Sequence, residues 1–339
     1  MKAKVHVVLP FELLVPQTEV FRLYSYEQDG YEIEIGLPTK SDVPTASDVP
    51  IEAKVNDKLA VVANSLTITF KKESFERAIS AAVDPPESLI ATVVDTVLDH
   101  LKYVTNASQV RDVGFPSCIW RLQYLNDDDS ELVMQEGFFR TRSARQRKFS
   151  FVACDPQIWD AIFSLPTDFR APPWHTLLVD SRGALPHVGT AVVLVATALE
   201  VFISDVLSAL AKPEKISPSL WKWISNRGNW LKDPSVEEQF DILLKELCGH
   251  SLKEEMQLWD AFKNIRTIRN AFAHEGIPRL GGKSVSVAEA LAFILKADSI
   301  VATVREWLPD ECKWPVFKLD AQIRFTAELI SAAAAVSID

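Results

Sequence analysis

Arg266, Asn270 and His274 recur every four residues, and Arg269 stands one position before the middle member. On a helix, a step of four stacks side chains on one stripe, and the adjacent residue lies about 100° round the axis. A guanidinium, an amide and an imidazole gathered in this way suit work on a phosphate. The guanidinium is a fixed cation whose fork matches phosphate oxygens and can stabilise charge that develops on them. An imidazole titrates near neutral pH, so it can accept a proton and give it back. The amide can orient either one. The same side chains also permit a structural use: a polar cap that ties a helix end to an acid elsewhere, with His and Arg complementing the helix dipole. Both uses require the stretch to be helical.

Leu258, Phe262, Ile265, Ile268 and Phe272 recur every three or four positions, which is the period of an amphipathic helix. Gly276 supplies a C-cap and Pro278 a stop. Within this helix, RNAFAH at 269–274 resembles the motif of the HEPN superfamily (higher eukaryotes and prokaryotes nucleotide-binding domain). The family pattern is an arginine, a polar residue such as asparagine, and a histidine four to six residues after the arginine. The same spacing runs from Arg170 to His175 (RAPPWH) and from Arg182 to His187 (RGALPH), but prolines there are expected to break a helix. Only the third occurrence has the helix, the asparagine and the terminal glycine.

The resemblance covers the C-terminal half and implies a helical bundle housing a metal-independent endoribonuclease with no cofactor. His274 would move a proton between a ribose 2′-OH and the leaving oxygen. Arg269 would stabilise the phosphate charge and Asn270 would orient the group. The products would carry 2′,3′-cyclic phosphate ends. It also implies a homodimer with two motif copies facing across a cleft, and a role as a toxin or anti-phage defence effector. A polar residue in an early helix supports the motif arginine in such proteins. Glu200, the lone acid inside an apolar helix, is the candidate, with Arg269 or Arg266 as its partner. The alternative is a non-catalytic dimerisation or nucleotide/RNA-binding module whose N-terminal domain senses a ligand, activating or inhibitory.

The elements that must position these residues fall into two regions. Residues 1–165 read as an α+β domain: KVHVVLP, VFRLYSY, YEIEIGL, LAVVANS, LTITFKK, CIWRLQYL and KFSFVAC have the composition and alternation of strands. ESLIATVVDTVLDHLKYV (87–104) and PQIWDAIFSL have helical spacing, and 37–50 is a proline- and serine-punctuated loop. Residues 166–187, rich in proline and poor in periodicity, read as a linker. Residues 188–339 read as an all-α, HEPN-like bundle of five to six helices. Its members are a central apolar helix over 188–211, a short tryptophan-rich one over 218–231 and a capped one over 235–249. The motif helix, 284–308 and a last helix over 319–336 complete it.

Composition narrows the function classes. A net charge of −10 argues against a protein that coats nucleic acid by bulk attraction, while leaving room for a local basic grip. Arg140, Arg142, Arg145, Arg147 and Lys148 crowd into nine residues, where two strands would put arginines on a shared face toward an RNA backbone. A solvated hairpin balanced by the acids of 127–131 is the other use of that run. The four cysteines are scattered without a CxxC pair, which reads as reduced thiols in a cytoplasmic protein. CGH at 248–250 has no second ligand pair, so Cys248 reads as a buried structural cysteine rather than a metal ligand. No HxxxH, HExxH or paired-carboxylate pattern indicates a metal. Val188 to Ile203, interrupted by Glu200, is shorter than the ~20 residues of a membrane span, so no membrane partner is expected.

Overall fold

A computed structural model describes residues 1–41, 52–73, 75, 84–115, 118–128, 130–137, 151–211, 221, 234–317, 319 and 323–326. The architecture is α+β, in two compact units. One comprises Met1–Arg170 together with the chain from Phe317 onward; the other is Ala171–Val316.

The first unit is built on a nine-stranded sheet. β1 (Lys2–Pro16) and β5 (Lys58–Lys71) form its long antiparallel spine. In the first half of β1, alternate residues are buried (Ala3, Val5, Val7, Leu9), the period-2 pattern of a strand with one face on a core. LAVVANS and LTITFKK, read separately in sequence, are one continuous strand here. On β5's other edge lie β3 (Tyr31–Ile35), hairpinned to β2 (Tyr24–Gln28), and β4 (Glu52–Val55). β1 continues to β6 (Trp120–Leu125) and β7 (Glu131–Gly137), and β8 (Phe151–Ala153) joins β1 in parallel. Helices α1 (Glu87–Thr105) and α2 (Pro156–Ser164) pack together, and Asp155 caps α2 through the Ile158 N–H at 2.9 Å.

The last strand corrects the expectation of a helix over 319–336. Its described part, β11 (Ile323–Thr326), pairs antiparallel with β4. Ile323 and Phe325 alternate with Arg324 and Thr326, a period of two that suits a strand once a partner edge exists. The remainder of that helix, the basic run with Arg140, Arg142, Arg145, Arg147 and Lys148, most of the 37–50 loop and all of 218–231 except Trp221 lie outside the described residues.

Among the described residues, the second unit's regular elements are helices and one hairpin of two-residue strands. The unit begins inside the stretch read as a linker: α3 (Pro173–Gly183) is a helix with Trp174, Leu178 and Val179 buried. Pro173 sits at its first position, where a missing N–H costs nothing, so the prolines start this helix instead of breaking it. α4 (Val188–Leu210) runs through the core and buries twelve residues. It is long and apolar enough to cross a membrane, and those apolar residues are the ones its neighbours cover. α5 runs through Val236–Glu238, a π turn at Gln239–Leu243 and Leu244–Cys248. The capping box of Ser235 and Glu238 starts it and left-handed Gly249 ends it. α6 (Met256–Glu275) follows, then β9 (Arg279–Leu280), β10 (Lys283–Ser284) and α7 (Val287–Trp307), which starts at a second capping box of Ser286 and Glu289. Phe202 of α4 meets Trp174 at 5.2 Å and Trp314 at 5.5 Å, while Phe240 meets Phe262 at 4.9 Å; these edge-on and tilted rings join α3, α4, α5 and α6 in one core.

Candidate functional site

α6 is held by its apolar face. Phe262, Ile265 and Ile268 are fully buried, and Gly276, with φ +71°, turns the chain while its N–H bonds the Phe272 carbonyl at 2.9 Å. Phe272 lies directly over Gly189 of α4, where any Cβ would overlap three atoms of the ring. The last turn of α6 is therefore seated on the first turn of α4 at a spot that only glycine leaves open.

This seating brings Glu200 of α4 to Arg269. The two form an ion pair through Nη2 and Oε1, each side chain 32% exposed. Arg269 Nη1 also donates to Asn270 Oδ1 at 3.1 Å. A guanidinium has five N–H donors, so these two bonds fix its plane and leave three for a ligand. Glu200 is thus the carboxylate that orients Arg269, half-buried at the core's rim and not deep within it. Asn270 is exposed, and His274 is exposed without a hydrogen bond or ion pair among the described residues.

Arg266 does not join them. Although four residues before Asn270, its guanidinium turns to Glu237 of α5 and lies 5.7 Å from the Phe262 ring centre. Its role is to clasp α6 to α5. Arg269, Asn270 and Glu200 are joined, and His274 lies one turn beyond Asn270 on the same helix.

The other two Arg–His spacings have different surroundings. Arg170 bonds the Thr167 and Phe169 carbonyls at 3.3 and 2.8 Å, and His175 stands on α3 beside Trp174, which corrects the expectation that it lies off any helix. Arg182 pairs with Asp298 of α7 at 2.6 Å, and exposed His187 precedes α4 as its N-cap. Burial raises the Asp298 carboxyl above its usual range, against the opposing pull of Arg182. Cys248 is half-buried, with its thiol toward the His250 carbonyl.

Sequence reasoning missed three features of this region: the Gly189–Phe272 seat, Glu237 as the partner of Arg266, and the β9–β10 hairpin that follows the motif. Only the hairpin left a readable signal, the Gly281–Gly282 pair, since two adjacent positive φ angles are what a tight hairpin turn demands. The α+β unit also has a cavity of about 430 Å³, lined by Glu19, Asn56, Lys58 and Asp155 among others, a suitable place to look for a small ligand of that unit. Compared with protein-family models, curated proteins and solved structures, the chain gives no match.

Proposed function

We propose that the protein is a metal-independent endoribonuclease of the HEPN type, acting through Arg269, Asn270 and His274 at the exposed end of α6. The observation that carries the reading is the orientation of Arg269 by Glu200 and Asn270 beside an imidazole left open to solvent. In the reaction, the ribose 2′-oxygen attacks the adjacent phosphorus and the P–O5′ bond breaks. The proton lost by the 2′-OH reaches the departing 5′-oxygen by way of His274. The free N–H groups of Arg269 meet the non-bridging oxygens as charge builds on them. The products are a 2′,3′-cyclic phosphate and a 5′-hydroxyl. One helix end offers donors to only one side of a phosphate, so the reading includes a homodimer in which two α6 ends share the substrate. Expression of the active protein would arrest growth, as a toxin or defence effector does.

A second reading draws on the same ion pair. Arg269 bound to Glu200 ties α6 to α4 whether or not any phosphate is present, which is what a non-catalytic dimerisation or RNA-binding module would need. Incubating the pure protein with RNA in EDTA separates the two. Fragments ending in 2′,3′-cyclic phosphate, with DNA left intact, support the nuclease; intact RNA, or cutting only with added divalent metal, refutes it.

A further inference from the structure

The hairpin after the motif is held in place at both ends. The Val285 N–H bonds the Pro278 carbonyl at 2.9 Å, Lys283 pairs with Leu280 and Ser284 with Arg279. Gly281 and Gly282, with φ of +57° and +77°, make the turn a two-residue one. Arg279 returns to Glu275, the neighbour of His274, at 3.3 Å. Between this hairpin and the first turns of α7 lies a cleft of about 180 Å³. Leu280, Val285, Ala292 and Phe293 give it apolar walls, and Lys283, Ser284 and Glu289 give it a polar rim.

We propose that this cleft is a nucleobase subsite, taking one base of a single-stranded RNA whose neighbouring phosphate lies at the end of α6. The size fits one ring system: it is well below the roughly 300–1,000 Å³ of a site for a drug-sized ligand. The walls suit a flat, weakly polar face, and bases of single-stranded RNA are read by stacking on such surfaces and by hydrogen bonds along their edges. The rim suits a base edge better than a phosphate. A base edge carries donors and acceptors together; Lys283 donates, Ser284 does both, and Glu289 accepts. Glu289 Oε2 is already taken by the Ser286 N–H at 2.8 Å and the Ser286 hydroxyl at 2.7 Å, leaving Oε1 as the open acceptor. These bonds, with a smaller contribution from Lys283, hold the Glu289 carboxyl below its usual pKa, so it stays an anion that would repel phosphate. Arg279, exposed on the hairpin and paired with Glu275, is the cation nearest the cleft for the adjoining backbone.

The subsite rests on the nuclease reading of α6, and the experiment keeps the two apart. Cleavage of a short oligouridylate in EDTA is compared with that of the same oligomer carrying abasic riboses at alternate positions, using the full chain, Ala292→Leu and Lys283→Ala. Ala292 is exposed on α7, so leucine fills the cleft from a position that favours a helix. The unsubstituted protein should prefer the base-bearing oligomer by roughly tenfold in kcat/KM, and Ala292→Leu should bring that ratio toward one. Lys283→Ala should reduce it partway. Uridine alone, followed by methyl NMR, should shift the Leu280 and Val285 signals, whose methyl groups line the cleft and are present in the Ala292→Leu variant as well. Equal cutting of both oligomers with no response to uridine overturns the subsite and leaves the nuclease standing. A response to uridine that Ala292→Leu abolishes, without cutting of any RNA, supports the cleft as a base site and overturns the nuclease.

Discussion

Glu200→Gln isolates the contribution of the carboxylate behind Arg269. The amide keeps the shape and a carbonyl acceptor but removes the charge. The size of the effect follows from exposure. Breaking a buried pair costs about 3–5 kcal/mol, because a charge is left without water or partner. An exposed pair contributes only about 0.2–1 kcal/mol. With both side chains 32% exposed, water can reach the abandoned guanidinium, and the expected cost lies near the lower range, about 1 kcal/mol. For a unit of this size that lowers the melting temperature by about 2–4 °C. A deeply buried Glu200, as its place in an apolar helix suggests, would have cost several times more.

The catalytic effect should exceed the structural one. Arg269 would keep its 3.1 Å bond to Asn270 but lose the anchor that fixes its plane. Displacement of a positioned group by about 1 Å costs roughly a hundredfold in rate. Glu200 is a positioning residue, so the loss should fall on kcat more than on KM, and Glu200→Asp should recover part of it. The assay is a fluorogenic RNA cleaved in EDTA, read beside a thermal melt for each variant. A drop of more than about 8 °C would show a buried clamp whose loss unfolds the bundle, and an unchanged kcat would remove Glu200 from the site.

His274→Ala and Arg269→Ala should each abolish cleavage while His274→Ala, at an exposed helix end, changes stability by less than about 0.5 kcal/mol; His175→Ala and His187→Ala should leave the rate intact in the same assay. Gly189→Ala should destabilise the chain by about 1–3 kcal/mol in a denaturant melt, because the Phe272 ring must give way, and adding Phe272→Ala should recover part of that in a double-mutant cycle. His100 gives a pH dependence to the α+β unit. Both its ring nitrogens face carbonyls, Ile162 at 3.1 Å and Phe169 at 3.3 Å, which favours the cation, but burial is the larger influence and lowers the pKa below 6.5. The unfolded chain then binds the proton first, so stability is present above about pH 6.5 and is lost as pH falls below it; denaturant melts at pH 7.5 and 5.5 should show that loss diminished in His100→Asn.

What was readable in the sequence divides along a physical line. α4, α6 and α7 could be read because each carries its own period and its own start or stop: the apolar step of three to four, the Ser286–Glu289 capping box, Gly276 at a left-handed end. α3 could not, because Pro172 and Pro173 signal a break when counted and a helix start when placed, and only Trp174 and Leu178 packing against α4 decide between them. β11 was hidden for the complementary reason. Four residues of alternation become a strand only beside an unpaired edge, and β4 supplies that edge from more than 260 residues away.

The candidate site divides the same way. An acid in an apolar helix needs a cation, so Glu200 pointed to an arginine before any coordinates did. Which arginine depended on what else competed for them. Glu237 stands in the first turn of α5, where the capping box of Ser235 and Glu238 fixes the helix start, and it takes Arg266. With Arg266 engaged there, Glu200 meets Arg269 alone, and the guanidinium that Asn270 and His274 flank is the one held from behind. Spacing along α6 puts four polar side chains near one stripe. The acids on α4 and α5 divide that stripe into a clasp at Arg266 and an open end at His274, and it is the open end that the proposed reaction uses.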